Sequence, residues 1–375
     1  MQIRLFAWNL VVGAALLGCD GATQQAPPIE PAVRAAPVPD QTAAVMCEEI
    51  SGVKPICGFT NPEDLAVVPG GDFLLVSEMA PFLSDQPNTL SLLNLQTESR
   101  QTIDFDWEDD GEDNGERWGD PSCAAPDAAR FSPHGIDLLT RPDGRHQVLA
   151  VNHGDEQIEF FELVASGAAW KLIWRGCAKP PEDAFINDVA GLHDGGFFVT
   201  HMWNKSIPFD EVATRLTAGE KIGWVWEWQA DTGFTRLENS VEAMPNGIAV
   251  NADNSKIFVN IYMGNKSIRI DRATGEVDGE VAVKNPDNVV VDNEGTLWIA
   301  SHLNDPIDGR CEEGHDGPCL LPFAVVTVNP DTMQSQTAFE HDGEPMGYAT
   351  VALPHNGRLY LGSASGDRVA SVAIQ

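Results

Sequence analysis

Residues 61–78 read NPEDLAVVPGGDFLLVSE, two short apolar strands around a Gly-Gly turn. Five later segments repeat this shape, with apolar strands on both sides of a turn rich in Gly, Asn or Asp. They are SPHGIDLLTRPDGRHQVLAVNH (132–153), INDVAGLHDGGFFVTH (186–201), MPNGIAVNADNSKIFVN (244–260), NPDNVVVDNEGTLWIASH (285–302) and PMGYATVALPHNGRLYLGSA (345–364). Each copy predicts a β-hairpin. The copies begin about 40 to 70 residues apart, near the length of a propeller blade.

Further short apolar strands lie between the copies, for example SLLNLQ (91–96) and WVWEWQ (224–229). Residues 208–221 are a weak helix candidate, and the pattern shows no long amphipathic helix. Six repeats of about four strands each predict an all-β fold, a six-bladed β-propeller that forms one closed domain over residues 46–375. Two stacked β-sandwiches are the alternative, but they do not explain six copies of one motif.

The composition limits the classes of function. Hydrophobic residues make up 43% of the 375 residues, which excludes a disordered chain. The 23 Lys and Arg against 56 Asp and Glu give a formal net charge of −33. Nucleic acids and anionic membranes attract clustered basic residues, so we expect no nucleic-acid partner and no membrane contact through charge. The excess of acid is compatible with cation binding.

The N-terminal segment predicts export. Met1–Gly18 is predicted to be a signal peptide, because Arg4 precedes an apolar run that is too short to span a membrane. The tetrapeptide that ends at Cys19 resembles a bacterial lipobox, in which that Cys carries lipid after cleavage. Residues 19–45 are rich in Ala, Pro and Gln and predict an extended tether. We expect a lipoprotein that faces the periplasm or the cell exterior and touches the membrane through its lipid only. An ordinary secreted protein is the alternative.

Six cysteines remain beside Cys19. An even number in an exported protein suggests disulfides, and six cysteines allow 15 pairings. We expect the pairs Cys47–Cys57, Cys123–Cys177 and Cys311–Cys319. The alternative, six free buried thiols, suits an oxidising compartment less well.

The repeats also carry the candidate site. In a propeller the first strand of every blade lines the central channel, so residues at the start of the motifs converge. In five of the six repeats those positions hold oxygen donors or an imidazole: Glu63-Asp64, His134, Asn187-Asp188, Asn246 and Asp287-Asn288. Each of these alone is typical of a turn. Together they predict a cation in a calcium-binding channel, because converging carboxylates repel one another and a set of oxygen donors suits Ca²⁺. The lack of Cys and Met in the set argues against copper and structural zinc.

Several of these motifs resemble those of one known family. They are EDL (63–65), FSPHGI (131–136), VNH (151–153), NDV (187–189), NGI (246–248), DNV (287–289), LWIASH (297–302) and ATVA (349–352). In this order and spacing they resemble the serum paraoxonases, calcium-dependent lactonases and arylesterases. That family lies within a wider group of six-bladed propellers that includes gluconolactonases.

The resemblance implies two calcium ions and a histidine pair. A catalytic ion would be held by Glu63, Asn187, Asn246, Asp287 and Asn288. A structural ion would be held by Asp64, Asp188 and the backbone carbonyl of Ile136. The family's histidine pair would be His134 and His153, and His302 would be a wall residue near the channel.

The expected reaction is the opening of a small-molecule lactone, or of an aryl ester, to the acid. Calcium would polarise the carbonyl group, His134 would take a proton from water, and His153 would hold His134 or relay for it. A non-catalytic, calcium-stabilised propeller that binds a ligand or a protein is the alternative. A phosphotriesterase side activity is a further one. The natural lactone and the oligomeric state are not determined by the sequence.

Three further segments depart from the resemblance or stand outside it. The last strand, VASVAIQ (369–375), has no Cys, so the ring should close through strand pairing rather than a disulfide. Residues 208–221 correspond to the family's helical lid, and the alternating residues Trp224, Trp226 and Trp228 predict one packed strand face, with a role facing substrate or membrane as the alternative. We interpret residues 104–120 as a solvated acidic insertion in the first blade, with another Ca²⁺ site as the alternative.

Overall fold

The computed structural model describes residues 46–374, except positions 85, 108–116, 168, 182, 305–310 and 312–316. Within these ranges the chain is nearly all β and contains one α-helix. Its strands form six sheets, which are the six blades of a β-propeller. The predicted fold class is therefore confirmed, and stacked sandwiches are excluded. The predicted signal peptide, the lipidated Cys19 and the tether lie outside the described residues.

The chain enters the domain through a short strand, β1 (Lys54–Cys57). Blades I to III follow in order, each built mainly of antiparallel strands. Their strands are, in blade I, β2 (Pro62–Val67), β3 (Phe73–Glu78), β4 (Thr89–Asn94) and β5 (Ser99–Thr102); in blade II, β6 (Asp104–Asp106), β7 (Pro133–Thr140), β8 (His146–Asn152), β9 (Gln157–Ser166) and β10 (Ala169–Ala178); and in blade III, β11 (Ala184–Gly191), β12 (Phe197–Asn204), β13 (Gly223–Gln229) and β14 (Gly233–Glu242).

The second half of the chain builds blades IV to VI. Their strands are, in blade IV, β15 (Pro245–Val250), β16 (Lys256–Ile261), β17 (Lys266–Asp271) and β18 (Val277–Ala282); in blade V, β19 (Pro286–Val291), β20 (Leu297–His302), β21 (Phe323–Val328) and β22 (Ser335–His341); and in blade VI, β23 (Ala349–His355), β24 (Arg358–Ser363) and β25 (Arg368–Ala373). Strand β1 completes blade VI by pairing antiparallel with β25, with Lys54 opposite Ser371. The ring closes through strand pairing, as the sequence predicts.

The innermost strands are β2, β7, β11, β15, β19 and β23, and each contacts the innermost strand of the next blade. Every one of them carries a register shift at its repeat motif. In β7, for example, the shift falls between Pro133 and Ile136 and takes His134 out of the regular ladder. A β-bulge re-aims side chains. The motif residues therefore leave the alternating pattern at the same place in all six blades.

Apolar side chains fill the gaps between neighbouring blades. Six separate cores lie between the six pairs of adjacent sheets, as where Leu75 of blade I meets Phe161 of blade II. Each large side chain that is fully buried in this way stabilises the fold by roughly 1.5–3 kcal/mol. Trp226 and Trp228 belong to the core between blades II and III, and Trp224 packs against it. The predicted packed face is confirmed for this strand.

The helix α1 (Phe209–Thr217) lies within the predicted helical segment. Its Val212 and Leu216 are buried in a cluster with Phe185 and Trp203. The helix is thereby fixed on blade III beside the channel. None of the helical segments in the described ranges has the length and apolar character needed to cross a membrane.

The structure contains the three expected disulfides, Cys47–Cys57, Cys123–Cys177 and Cys311–Cys319. The first lies beside the closing strand β1. The second joins the segment before β7 to β10, within blade II. The expected pairing is confirmed.

The interpretation of residues 104–120 as an insertion in blade I is wrong for its first residues. Asp104–Asp106 form β6, which pairs parallel with β10 as the outermost strand of blade II. Aromatic packing explains why this segment joins blade II, because Phe105 and Trp107 pack on Phe131 and Phe161. Lys171 also donates to Asp106 across this edge (Nζ–Oδ2 2.5 Å). Residues 108–116 lie outside the described residues, so the alternative of a calcium loop there stays a prediction.

Candidate functional site

A cavity of about 450 Å³ lies where the inner strands carry their motifs. Its polar lining includes five of the residues predicted from the repeats: Glu63, His134, Asn187, Asn246 and Asp287. They come from five different blades, and all of them are buried. A sixth, Asn288, joins them by donating to Glu63 (Nδ2–Oε1 2.8 Å). The inner strands thus bring together residues that are up to 225 positions apart in the chain.

Two glycines allow the blades to approach one another here. A Cβ on Gly135, beside His134, would lie 2.4 Å from Asp188 Oδ1. A Cβ on Gly247, beside Asn246, would lie 2.5 Å from the carbonyl oxygen of Asp287. Real Cβ atoms do not come this close to such atoms, so any side chain would push the neighbouring blade away. The glycines that follow His134 and Asn246 are therefore part of what assembles the site.

We define the oxygen cluster as Glu63, Asn187, Asn246, Asp287 and Asn288. Four of its buried oxygens have no hydrogen-bond partner: Glu63 Oε2, Asn187 Oδ1, Asn246 Oδ1 and Asn288 Oδ1. An unpaired buried acceptor costs about 1–3 kcal/mol. Four such atoms in one place indicate a site that is incomplete until something electropositive enters it.

The buried carboxylates of the oxygen cluster also indicate a cation site. Burial, together with the charge of Glu63, raises the pKa of Asp287 well above its usual range. Within the described residues, no group of three or more His, Cys, Asp or Glu side chains is placed to hold a metal ion. The donors are instead two carboxylates and three amides, a neutral-rich oxygen set that suits a hard cation such as Ca²⁺. The residues present therefore fit a calcium ion in this cluster.

The residues predicted for a second ion have other partners. Asp64 accepts the backbone N–H of Leu65 at Oδ1 and of Ile136 at Oδ2 (both 2.8 Å). Asp188 accepts Val189 and Ile248 in the same way (both 2.8 Å). Each carboxylate therefore ties its own blade to the next one. Burial and the charge of Asp64 raise the pKa of Asp188, which a cation would relieve, and the structural ion stays a prediction.

The predicted histidine pair is present. Nδ1 of His134 lies 2.7 Å from Nε2 of His153. Nε2 of His134 faces the oxygen cluster, 3.4 Å from the Asn187 amide nitrogen and 3.6 Å from Glu63 Oε1. Burial lowers the pKa of His153, so this ring is neutral near pH 7. The pair leads from the main cavity to a second cavity of about 280 Å³, which His153 lines.

Two residues beyond His153 were missed by the sequence analysis. Glu156 lies 3.1 Å from Nδ1 of His153 (Oε1), and Lys205 donates to the same oxygen (Nζ–Oε1 2.7 Å). Both line the second cavity. The sequence signal for Glu156 was its position three residues after His153 in a hairpin turn. Acidic residues are common in such turns, so this signal did not distinguish it.

His302 is buried beside the oxygen cluster, as expected of a wall residue. Its Nε2 donates to the Ala349 carbonyl (3.0 Å), and the Tyr262 hydroxyl donates to its Nδ1 (2.9 Å). Burial lowers its pKa to about 3. Both ring nitrogens are thus occupied, and the ring is neutral at all ordinary pH values.

The rest of the main cavity is mostly apolar. Four methionines and several aromatic rings line it, with Phe209 and Leu216 contributed by α1. The lining includes Phe59, Met79, Phe82, Met202, Met244, Tyr262, Met263 and Tyr348. The cavity therefore combines a small polar region of acceptors and one imidazole with a wide hydrocarbon surface.

A family model described as the SMP-30/Gluconolactonase/LRE-like region matches residues 129–330, more than half of the chain. The chain belongs to this family. The match covers most of blade II, blades III and IV and most of blade V, and it includes His134, Asn187, Asn246 and Asp287. No curated protein matches the sequence.

Solved structures share the propeller of this SMP-30/gluconolactonase family. A luciferin-regenerating enzyme is 14% identical, with a TM-score of 0.52 over 86% of this chain and 94% of the other. A gluconolactonase from Xanthomonas campestris is 16% identical, with a TM-score of 0.51 over 86% of this chain and 89% of the other. At such low identity these likenesses establish the fold alone.

Proposed function

We propose that this protein is a calcium-dependent hydrolase that opens lactones, and that it also cleaves aryl esters, in the manner of the paraoxonases. One observation carries the proposal: four buried, unpaired oxygens stand beside the cavity-facing Nε2 of His134, whose ring is held by a hydrogen bond to His153. Membership of the SMP-30/gluconolactonase family supports a lactone as the substrate.

The shape of the lining narrows the substrate class. Sugar lactones carry a hydroxyl on nearly every carbon and need a matching set of polar partners, because buried polar groups without partners are costly. Here the lining outside the oxygen cluster is mostly apolar and rich in Met, Phe and Tyr side chains. This supports lactones with a hydrocarbon substituent over gluconolactone itself.

The chemistry divides between the two sides of the polar region. A calcium ion held by Glu63, Asn187, Asn246, Asp287 and Asn288 would polarise the carbonyl group and stabilise the charge that develops on its oxygen. The remaining work falls to the protein. The lone pair of His134 Nε2 faces the cavity and accepts a proton from the attacking water, while His153 holds the His134 ring through its Nδ1. The apolar wall keeps other water away from the acyl carbon.

The test is hydrolysis of a panel that contains alkyl-substituted lactones, gluconolactone and phenyl acetate, with chelator and then Ca²⁺ added back. We expect turnover of the alkyl lactones that disappears with chelator and returns with Ca²⁺. Preference for gluconolactone would overturn the substrate class. The absence of turnover for every lactone and ester in the presence of Ca²⁺ would remove the enzyme proposal.

We further propose a structural second ion at Asp64, Asp188 and Ile136, and export as a lipoprotein through Cys19. The three disulfides support export, because such bonds persist in oxidising compartments. Metal analysis at saturating Ca²⁺ should give two ions per chain. Cys19→Ser should move the protein from the membrane fraction to the soluble fraction; an unchanged distribution would contradict the anchor.

A further inference from the structure

We propose that Glu156 is a positioning residue of the hydrolase: with His134 and His153 it forms a carboxylate–imidazole–imidazole chain that fixes which nitrogen of His134 acts as the base. The inference rests on the proposed function and deepens it, because it explains how the histidine pair is oriented.

With Glu156 ionised and His153 neutral, the hydrogen bonds allow one assignment of protons. An ionised carboxylate can only accept, so Nδ1 of His153 carries the proton that faces Glu156 Oε1 (3.1 Å). Nε2 of the neutral His153 is then an acceptor, and Nδ1 of His134 must donate to it (2.7 Å). This leaves Nε2 of His134 with a lone pair that faces the cavity.

The contact of His134 with Asn187 is consistent with this assignment of protons. The Asn187 amide group donates to Nε2 of His134 (3.4 Å), which is possible only when that nitrogen carries no proton. The same orientation leaves Asn187 Oδ1 as one of the unpaired oxygens of the oxygen cluster. One proton pattern thus satisfies the contacts from Glu156 to Asn187.

Glu156 is held in its ionised form. Burial alone would raise its pKa, but the contacts with His153 and Lys205 outweigh burial and bring the pKa below its usual value. Lys205 donates to Oε1 (2.7 Å), and the Ile186 N–H donates to Oε2 (3.4 Å). The Glu156 backbone lies in the left-handed region at φ 49°, which costs a residue other than Gly or Asn about 1 kcal/mol or more. The turn therefore keeps a carboxylate where Gly or Asn would be less strained.

His153 is also fixed by packing. Its ring stacks on Phe185 with a centroid distance of 4.7 Å and an angle of 14°. Phe185 in turn stacks on Trp203 (4.6 Å, 11°). The imidazole therefore keeps one plane, and the carboxylate decides the direction of its proton.

The reaction balances without any further reactant. The oxygen of water bonds to the acyl carbon, and one water proton moves to Nε2 of His134. The positive charge is shared along the Nδ1–Nε2 contact and is stabilised by Glu156. The bond from the acyl carbon to the ring oxygen then breaks with its electron pair on that oxygen, which takes the proton back from His134. The product is the hydroxy acid, and His134 returns to its starting state.

The first experiment compares Glu156→Gln with Glu162→Gln in the full-length, calcium-loaded protein. Glu162 is a matched control on the same β9 region, because its side chain is also 11% exposed and ion-paired, with Arg175. A Gln at position 156 can donate to Nδ1 of His153 and reverse both tautomers. We expect kcat for an alkyl lactone to fall about 10- to 100-fold with KM within about threefold, and no such fall in the control. A kcat within about twofold of wild type would overturn the proposal.

The second cavity provides a rescue test. It borders Glu156 directly, so a small carboxylate can enter the space that Glu156→Ala would leave. We expect acetate or formate to restore at least several-fold of the lost kcat in Glu156→Ala and to have no effect on Glu162→Ala. Equal effects on the two variants would indicate a structural role and contradict the proposal.

A third measurement needs no turnover. In ¹⁵N-histidine-labelled wild-type protein, long-range ¹H–¹⁵N spectra report the tautomer of each ring. We expect His153 and His134 both to carry their proton on Nδ1, with His153→Gln used only for assignment. The Nε2–H tautomer at His153 would overturn the proposal. If wild type opens no lactone but shows the expected tautomers, the hydrolase proposal fails and the proton chain stands.

Discussion

The two sides of the polar region differ in how their hydrogen bonds are satisfied. On the histidine side, formed by His134, His153 and Glu156, each hydrogen bond has one donor and one acceptor in the proton pattern proposed above. The oxygen cluster on the other side leaves four buried oxygens without a partner. The first side is complete as folded, whereas the second is complete only with a cation. The difference separates the group that moves protons from the group that binds the metal and substrate carbonyl.

The largest effect on lactone turnover should come from a substitution in the oxygen cluster. Asn246→Ala removes one of the unpaired oxygens, and with it a ligand of the proposed ion. We expect lactone turnover to fall to the level of the chelated wild-type protein, and bound Ca²⁺ to be lost in metal analysis. Asn251→Ala is the control, since Asn251 follows the same strand β15 at its far end and is bonded to Lys256. Normal turnover and Ca²⁺ content in Asn246→Ala would contradict the metal assignment.

The second largest effect on turnover should come from a substitution on the histidine side, and it should leave bound Ca²⁺ unchanged. His134→Gln removes the base, and we expect kcat to fall about 100-fold or more while Ca²⁺ content stays at the wild-type value. His146→Gln, on the same blade and in contact with Thr140, serves as the control. If His134→Gln lost calcium as well, the two sides would not be separable.

Asp287 of the oxygen cluster and the neighbouring His302 should change the stability of the metal-free protein with opposite dependence on pH. The raised pKa of Asp287 means that the folded, metal-free protein binds more protons than the unfolded chain, so its stability falls as pH rises from about 4. Neutral His302, with its pKa lowered to about 3, makes stability fall as pH drops below about 6.5. We expect the gain in thermal midpoint on adding Ca²⁺ to the chelated protein to grow as pH rises above about 4. A constant gain would show that the cluster carboxyls do not titrate on binding.

The smallest effect on turnover should come from His302→Gln. This ring is as buried as His134 and equally close to the site, but both of its nitrogens are held by Ala349 and Tyr262. We expect kcat to change by less than about threefold and stability to fall by about 1–3 kcal/mol, measured by lactone assays and urea unfolding. A loss as large as that of His134→Gln would show that His302 also takes part in turnover.

The sequence predicted the fold and the oxygen cluster for the same reason. Six copies of one hairpin specify six blades, and equivalent positions in equivalent strands must meet at the channel. Asn246 and Asp287 could therefore be placed together without any knowledge of side-chain geometry. The bulges that turn these residues inward were not predicted, because register shifts depend on how each strand fits its neighbour.

What the sequence did not predict lies outside the repeat. Glu156 sits in a turn at the end of β8, and Lys205 follows β12 in the next blade, so only the packing of blades II and III brings them together. The placement of β6 failed for a similar reason. Its acidic surroundings suggested solvent, whereas Phe105 and Trp107 have aromatic partners that are distant in sequence.

The closing strand has a mechanical consequence. Any pull on the domain along the chain from its N-terminal side reaches Cys47 before it reaches β1. The Cys47–Cys57 disulfide joins that point directly to the last residue of β1. Tension in the oxidised protein therefore bypasses the first three residue pairs of β1 with β25 and enters the domain at Cys57, opposite Arg368. After reduction the same pull would act on Lys54 first and unzip the closing strand from β25 one pair at a time.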